Sequence, residues 1–231
     1  MRIAVCYYSE KAPLPMLELW LENYKKSKCK IPIVILTDGK SQMPKDPSLE
    51  IMVLQDLRKY SPILRLNKGF DFDMKGALIC EAITRFDKFF LVDTDAFFKK
   101  DPKVLLEQIP SNALLSMGDD PYPRRISGTP DGVVVRNAGV MFVQAPDKVS
   151  KTTLMSMYES AFQQLRRAHD HDLLEQNVWS YVHFLLMRKG KAQVFSRYLN
   201  WSRVWDSNDP NIVVHHEHGP QKWAKYKIKK P

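Results

Sequence analysis

Three groups of residues in this sequence carry charge or coordination chemistry where stability alone gives little reason to place them. Asp93-Thr94-Asp95 follows the apolar run Phe89-Phe90-Leu91-Val92 and precedes AFFKKDP. Two carboxylates at the end of a buried strand repel each other and resist desolvation unless a cation or strong donors compensate them. Residues two apart on extended backbone project to the same side, so the pair can face one hard divalent cation if strand geometry persists through Asp95. The alternative is an acidic strand-to-loop turn.

The second group lies far along the chain, in VVHHEHGPQKW, where His216, Gly219 and Lys222 form an H-x-x-G-x-x-K arrangement after a short apolar strand. Neutral imidazole can complete a mixed nitrogen and oxygen shell, which favours manganese over magnesium. Glycine permits close backbone approach, and lysine offers a point charge to phosphate oxygens. His215 and His216 would point to opposite faces of a strand, while His218 shares the His216 side and competes with it.

The third group is more diffuse. Asn137-Ala138-Gly139 opens a buried strand and offers an amide for hydroxyl recognition beside a residue without a side chain; a turn is the other reading. Glu175 and Gln176 precede an apolar helical face, either as site residues or as solvated helix positions. Tyr7 and Tyr8 end the first strand, where one ring could stack on a base or both could be packed. Asp119 and Asp120 follow another strand and either hold a sugar or make a turn before Pro121.

Elements that position these residues are legible from periodicity. Residues 3–8 and 32–38 read as buried strands enclosing a helix over 13–28, a β-α-β unit. A third strand is expected near 50–54. Residues 72–86 have the period of a helix packed by Met74, Ala77, Leu78 and Ala82. The run 88–98 has the continuous apolarity of a parallel strand covered on both faces. Strands over 111–117 and 132–143, helices over about 148–168 and 171–188, and strands at 192–195 and 211–218 complete the chain. Strands alternating with helices argue for an α/β fold with a mostly parallel sheet and a small antiparallel component. No repeat or linker interrupts it, so residues 1–231 are read as one domain.

Bulk properties narrow the class. With 231 residues, 44% hydrophobic and 26% charged, the chain can bury a substantial core. No apolar run approaches the roughly 20 residues that span a bilayer, and the opening MRIAVCYYSEK is quickly interrupted by charge, unlike a secretion signal. The three cysteines, Cys6, Cys29 and Cys80, are far apart and without C-x-x-C spacing, which suits packed thiols in a reducing compartment. The expected location is cytoplasmic. The net charge of +9 favours anionic partners. Much of the excess sits in the tail KWAKYKIKKP instead of a basic helix or an aromatic-studded sheet, which argues against nucleic acid; the tail reads as a solvated, mobile end, with peripheral contact to an anionic membrane as the alternative.

Taken in order, the β-α-β start, LVDTDAFFKKDP, RNAGVMFV, EQNVW, LNW and HHEHGPQKW resemble the retaining glycosyltransferases of the glycogenin and lipopolysaccharide galactosyltransferase type, family eight, over nearly the whole chain. The resemblance implies a GT-A fold, with about residues 1–95 as a nucleotide-binding half and 96–231 as the sugar and acceptor half. It implies that Asp93, Asp95 and His216 ligate Mn2+, with Mg2+ as a substitute, on the diphosphate of a UDP-sugar. Thr94 belongs to the same donor-binding segment, and Lys222 with Gly219 would contact the diphosphate. Lys75 takes the place of a basic residue that reaches the phosphates or the sugar. Asn137, Ala138 and Gly139 match a segment lining the sugar pocket. Glu175 and Gln176 fall where the family usually has Asp-Gln, so Glu175 is a departure; the usual proline after the lysine is replaced by Trp223.

The implied chemistry is transfer of a sugar from a UDP-sugar to a glycan, protein or lipid-linked acceptor, with leaving-group stabilisation by the cation as the main contribution. A noncatalytic nucleotide-sugar or glycan-binding module with the same fold is the alternative.

Overall fold

The computed structural model describes residues 1–8, 12–54, 71–122, 124–129, 132–166, 174–205, 208–217 and 225–227. Its centre is a seven-stranded sheet. The strands are β1 (Arg2–Cys6), β2 (Ile33–Thr37), β3 (Glu50–Val53), β4 (Lys88–Asp93), β6 (Leu115–Asp119), β7 (Arg136–Gln144) and β8 (Ala192–Val194), in the order β3-β2-β1-β4-β7-β6-β8. The first four pair in parallel, β7 runs antiparallel to both β4 and β6, and β8 lies parallel to β6. The runs Ile3–Val5, Val34–Leu36 and Phe89–Val92 are wholly buried, as expected of strands covered on both faces. Segment 132–143, read from its pattern as closely spaced strands, contributes one long strand preceded by an isolated bridge between Val134 and Arg125.

Among the described residues, five α-helices cover the sheet: α1 (Leu14–Lys26), α2 (Asp71–Arg85), α3 (Lys103–Glu107), α4 (Lys148–Arg166) and α5 (Leu174–Met187). One apolar layer joins α2, α4 and α5 to the sheet through Ala77, Leu78, Ala82, Tyr158 and Trp179, with Met74 packed against its edge. The opposite layer holds Met16, Leu17 and Trp20 of α1 against Val5, Phe90 and Phe142. Lys25 and Lys26 in the last turn of α1 complement the negative end of its dipole. All three cysteines are buried thiols, as the packed-thiol reading requires. Burial raises the Cys29 thiol to about 11 and the Cys80 thiol to about 12, so neither is a thiolate near neutrality.

A second sheet of three short strands, β5 (Ala96–Phe98), β9 (Trp201–Ser202) and β10 (Val214–His216), sits beyond the end of β4 in the order β5-β10-β9. Trp20 anchors it from α1, its indole N–H donating to the Ala96 carbonyl at 2.8 Å and its ring meeting Phe98 edge-on. Among the described residues, no helix is long and apolar enough to cross a membrane.

Candidate active site

Strand order reverses between β1 and β4, and Asp93 is the last residue of β4, paired across to Cys6 at the end of β1. Crevices outside such reversals are where open α/β sheets bind ligands. Strand geometry does not persist through Asp95. Thr94 and Asp95 form a tight turn, and the chain re-enters a strand at Ala96. The two carboxylates are therefore brought together by a turn and not by strand alternation.

The turn delivers Asp95 to His216. Strand β10 pairs antiparallel with β5, setting His216 opposite Ala96, and the Asp95 carbonyl accepts the Glu217 N–H at 2.8 Å. As a result, one ligand atom from each of Asp93, Asp95 and His216 lies within 4.8 Å of the other two. His216 Nε2 stands 3.2 Å from Asp95 Oδ1, and its Nδ1 stands 3.0 Å from Asn200 Oδ1. Strand alternation sends His215 the other way, where its Nδ1 is 3.4 Å from Glu217 Oε1. Burial lowers the His215 pKa, against the pull of the Glu217 carboxylate.

Gly139 completes the cradle. A Cβ there would overlap Cε1 of His216 and stand 2.8 Å from its Nε2. This close approach is made possible by an irregularity in β7. Its pairing with β6 slips from Met117↔Met141 to Gly118↔Asn137, and its ladder with β4 ends at Val140. Asn137 spends its side-chain oxygen on the Gly139 N–H at 2.8 Å, so its amide first serves the local backbone.

The Ala138 carbonyl accepts from Lys75 Nζ at 2.9 Å. Lys75 is 2% exposed, on the inner face of α2. Its ammonium lies 2.9 Å and 3.1 Å from the two oxygens of Asp93 and 3.8 Å from Glu175 Oε2. It was expected to reach phosphates or the sugar; as folded, it is clamped between the Asp93 and Glu175 carboxylates. Glu175 is 4% exposed and belongs to this buried charge group, so its reading as a solvated helix residue is wrong. Gln176, one position on, is partly exposed and donates to Asp120 Oδ2 at 2.7 Å, while Asp119 pairs with Arg136.

Tyr7 and Tyr8 are packed rings, 1% and 2% exposed, on opposite faces of the sheet end. Tyr7 donates its hydroxyl to the Gln42 carbonyl at 2.9 Å. Tyr8 feels Lys75, Asp93 and Glu175, but burial dominates and raises its phenol well above the usual range. His218, Gly219 and Lys222 lie outside the described residues.

Two residues at the centre were not anticipated. Asn200 was part of a recognised LNW string without a role, and only the packing of β9 beside β10 brings it to His216. Glu217, 2% exposed, gathers His215, Lys225 and the Tyr226 hydroxyl, tying residues 225–226 to the site. A carboxylate directly after two histidines at the end of an apolar strand was the available signal for it.

Several solved structures superpose on the described chain. Galactosyltransferase LgtC in complex with donor and acceptor sugar analogs matches with a TM-score of 0.63 and 13% identity over 95% of this chain and 88% of that one. An active-site mutant of LgtC gives 0.68 at 13% identity, over 98% and 95%. The glycosyltransferase GlyE of Streptococcus pneumoniae TIGR4 gives 0.59 at 13% identity, over 99% of this chain and 61% of that one. The fold is GT-A. No family model matches the sequence, and no curated protein matches it either.

Proposed function

We propose that this chain is a metal-dependent glycosyltransferase, moving a sugar from a UDP-sugar to a glycan, protein or lipid-linked acceptor with retention of anomeric configuration. The observation that carries the reading is the convergence of Asp93, Asp95 and His216, three groups from two distant segments, at the crevice of a GT-A sheet. Two carboxylates and an imidazole nitrogen suit a hard to borderline divalent cation, Mn2+ before Mg2+. Gly139 fits that use too, since any side chain there would occupy the space beside His216 Nε2.

A cation bound by these residues would neutralise charge developing on a diphosphate leaving group. The chain's own residues prepare the place for it. Lys75 fixes both oxygens of Asp93 and cancels part of the charge that Asp93 and Glu175 bring into the crevice. Thr94 shapes the turn between the ligands. Tyr7 and Tyr8 form the packed wall at the end of β1, on the uridine side. Asn137, Ala138 and Gly139 supply backbone and amide groups to the sugar, and Gly219 with Lys222 is assigned to the diphosphate. Glu175, held by Lys75, is a poor nucleophile in that pairing but a suitable fixed charge facing an oxocarbenium-like sugar, consistent with a front-side reaction. Gln176 and Asp120, joined at 2.7 Å, line the rim on which an acceptor hydroxyl would arrive.

The test is UDP release from a panel of UDP-glucose, UDP-galactose, UDP-xylose and UDP-N-acetylglucosamine, with and without Mn2+ and with GDP-mannose as control. The proposal expects one UDP-sugar to be consumed in a metal-dependent manner. Metal-dependent binding with no turnover, including with acceptor sugars, would instead identify a noncatalytic module.

A further inference from the structure

Asn200 ends the 3-10 turn Arg197–Leu199, and β9 begins directly after it, running parallel to β10 with Ser202 opposite His216. Its side chain is 2% exposed, with Oδ1 placed 3.0 Å from His216 Nδ1. On the other side of the imidazole, Nε2 is 3.2 Å from Asp95 Oδ1. The ring is thus held between two oxygens. A neutral imidazole has a single N–H, so it can donate to only one of them.

Which one it chooses decides whether the ring can bind a cation. With the proton on Nε2, the ring donates to Asp95, and its lone pair faces Asn200, away from the carboxylates. With the proton on Nδ1, the ring donates to Asn200, and the Nε2 lone pair faces Asp93 and Asp95. Free imidazole side chains favour the Nε2–H form, so a ring without a dedicated acceptor at Nδ1 would close on Asp95. Metal-bound histidines commonly give their second N–H to an oxygen acceptor, which fixes the tautomer and raises ligand basicity.

Asn200 is held firmly enough to be that acceptor. Gly118, at the slip in the β6–β7 register, lies so close that a Cβ there would stand 2.9 Å from Asn200 Nδ2 and 3.0 Å from its Cβ. Phe195 closes the same space at 2.8 Å from that position. Asn200 Nδ2 has no acceptor among the described residues, so the contact of Oδ1 with His216 is the hydrogen bond this side chain makes there.

We infer that Asn200 is a positioning residue, holding His216 as the Nδ1–H tautomer with its Nε2 lone pair aimed between Asp93 and Asp95. The inference rests on the proposed metal site and adds a residue outside the ligand set. It makes metal binding depend on the packing of β9 against β10, two short strands joined by the connection over 203–213.

The experiment is long-range proton–nitrogen NMR on metal-free protein labelled with 15N-histidine, at alkaline pH where the rings are neutral, with the His216 signals assigned by their loss in His216→Gln. Wild type is expected to show Nδ1–H at His216, Asn200→Asp to keep it, and Asn200→Leu to change to Nε2–H. Calorimetric titration of Mn2+ should weaken roughly 10- to 100-fold in Asn200→Leu and stay within a few-fold of wild type in Asn200→Asp. An Nε2–H ring in wild type would overturn the inference even if Asn200→Leu failed to fold. So would Asn200→Leu with wild-type tautomer and affinity. Wild-type Nδ1–H without any Mn2+ binding would sink the metal reading but leave the tautomer assignment standing, so the two failures are distinguishable.

Discussion

Gly139 and His216 pack so closely that no side chain fits between them: a Cβ on Gly139 would overlap the imidazole at Cε1 and lie 2.8 Å from Nε2. The contact joins the irregular start of β7 to the end of β10, and it lies on the atom of His216 that faces the carboxylates. Gly139→Ala is expected to fold but to push the ring off its position. Mn2+ affinity, measured by calorimetry, should fall at least about tenfold, in line with small displacements of a preorganised site. Unchanged affinity in a folded Gly139→Ala protein would show that the ring position is not critical.

Lys75 tests the buried charge group separately. Lys75→Met removes the ammonium that lies 2.9 Å from Asp93 and 3.8 Å from Glu175, so two carboxylates, one of them the 4%-exposed Glu175, lose this buried cation. Breaking a buried ion pair by deleting one partner costs about 3–5 kcal/mol. Urea unfolding of the metal-free protein should show a loss of that order, and added Mn2+ should restore part of it by placing a new cation beside Asp93. A Lys75→Met variant as stable as wild type would mean that the carboxylates are not held against their charge.

His183 makes a pH-dependent contribution away from the site. It is buried on α5 with Nε2 2.8 Å from the Gln193 carbonyl, and burial lowers its pKa from the usual 6.5 to about 4. The folded form thus resists a proton that the unfolded chain accepts. The neutral-ring stability is fully present above pH 6.5 and is lost as pH falls from 6.5 towards 4. Between pH 7 and pH 5 this amounts to about 2 kcal/mol. His183→Gln keeps a donor for the carbonyl and cannot titrate. The wild-type minus variant difference in unfolding free energy should shrink by that amount over the same interval, and a difference independent of pH would contradict the assignment.

Much of this molecule could be read before folding. The parallel strands were legible because burial on both faces forces unbroken apolar runs such as Phe89–Val92, and the acidic pair Asp93 and Asp95 stood out because two acids ending such a run need compensation. What was not legible depended on contacts between distant segments. The turn at Thr94-Asp95 could not be told from a continued strand, since its shape is set by pairing of β5 with β10 more than a hundred residues later. The clamp on Lys75 was not legible because nothing in the sequence showed that Asp93, Ala138 and Glu175 converge on its ammonium. Tyr7 and Tyr8 offered aromatic surface on paper, whereas the two apolar layers on either face of the sheet bury both rings. Asn200 had no visible role because an amide acquires one only through its neighbour.

The most direct test of the central claim is calorimetric titration of Mn2+ into the wild-type protein and into Asp93→Asn, Asp95→Asn and His216→Ala. The account predicts one cation per wild-type chain, tightened by UDP, with binding lost in both aspartate variants and strongly weakened in the histidine variant while each retains its fold by circular dichroism. Wild-type protein that binds no Mn2+ with or without UDP, or variants that bind it as well as wild type, would contradict it.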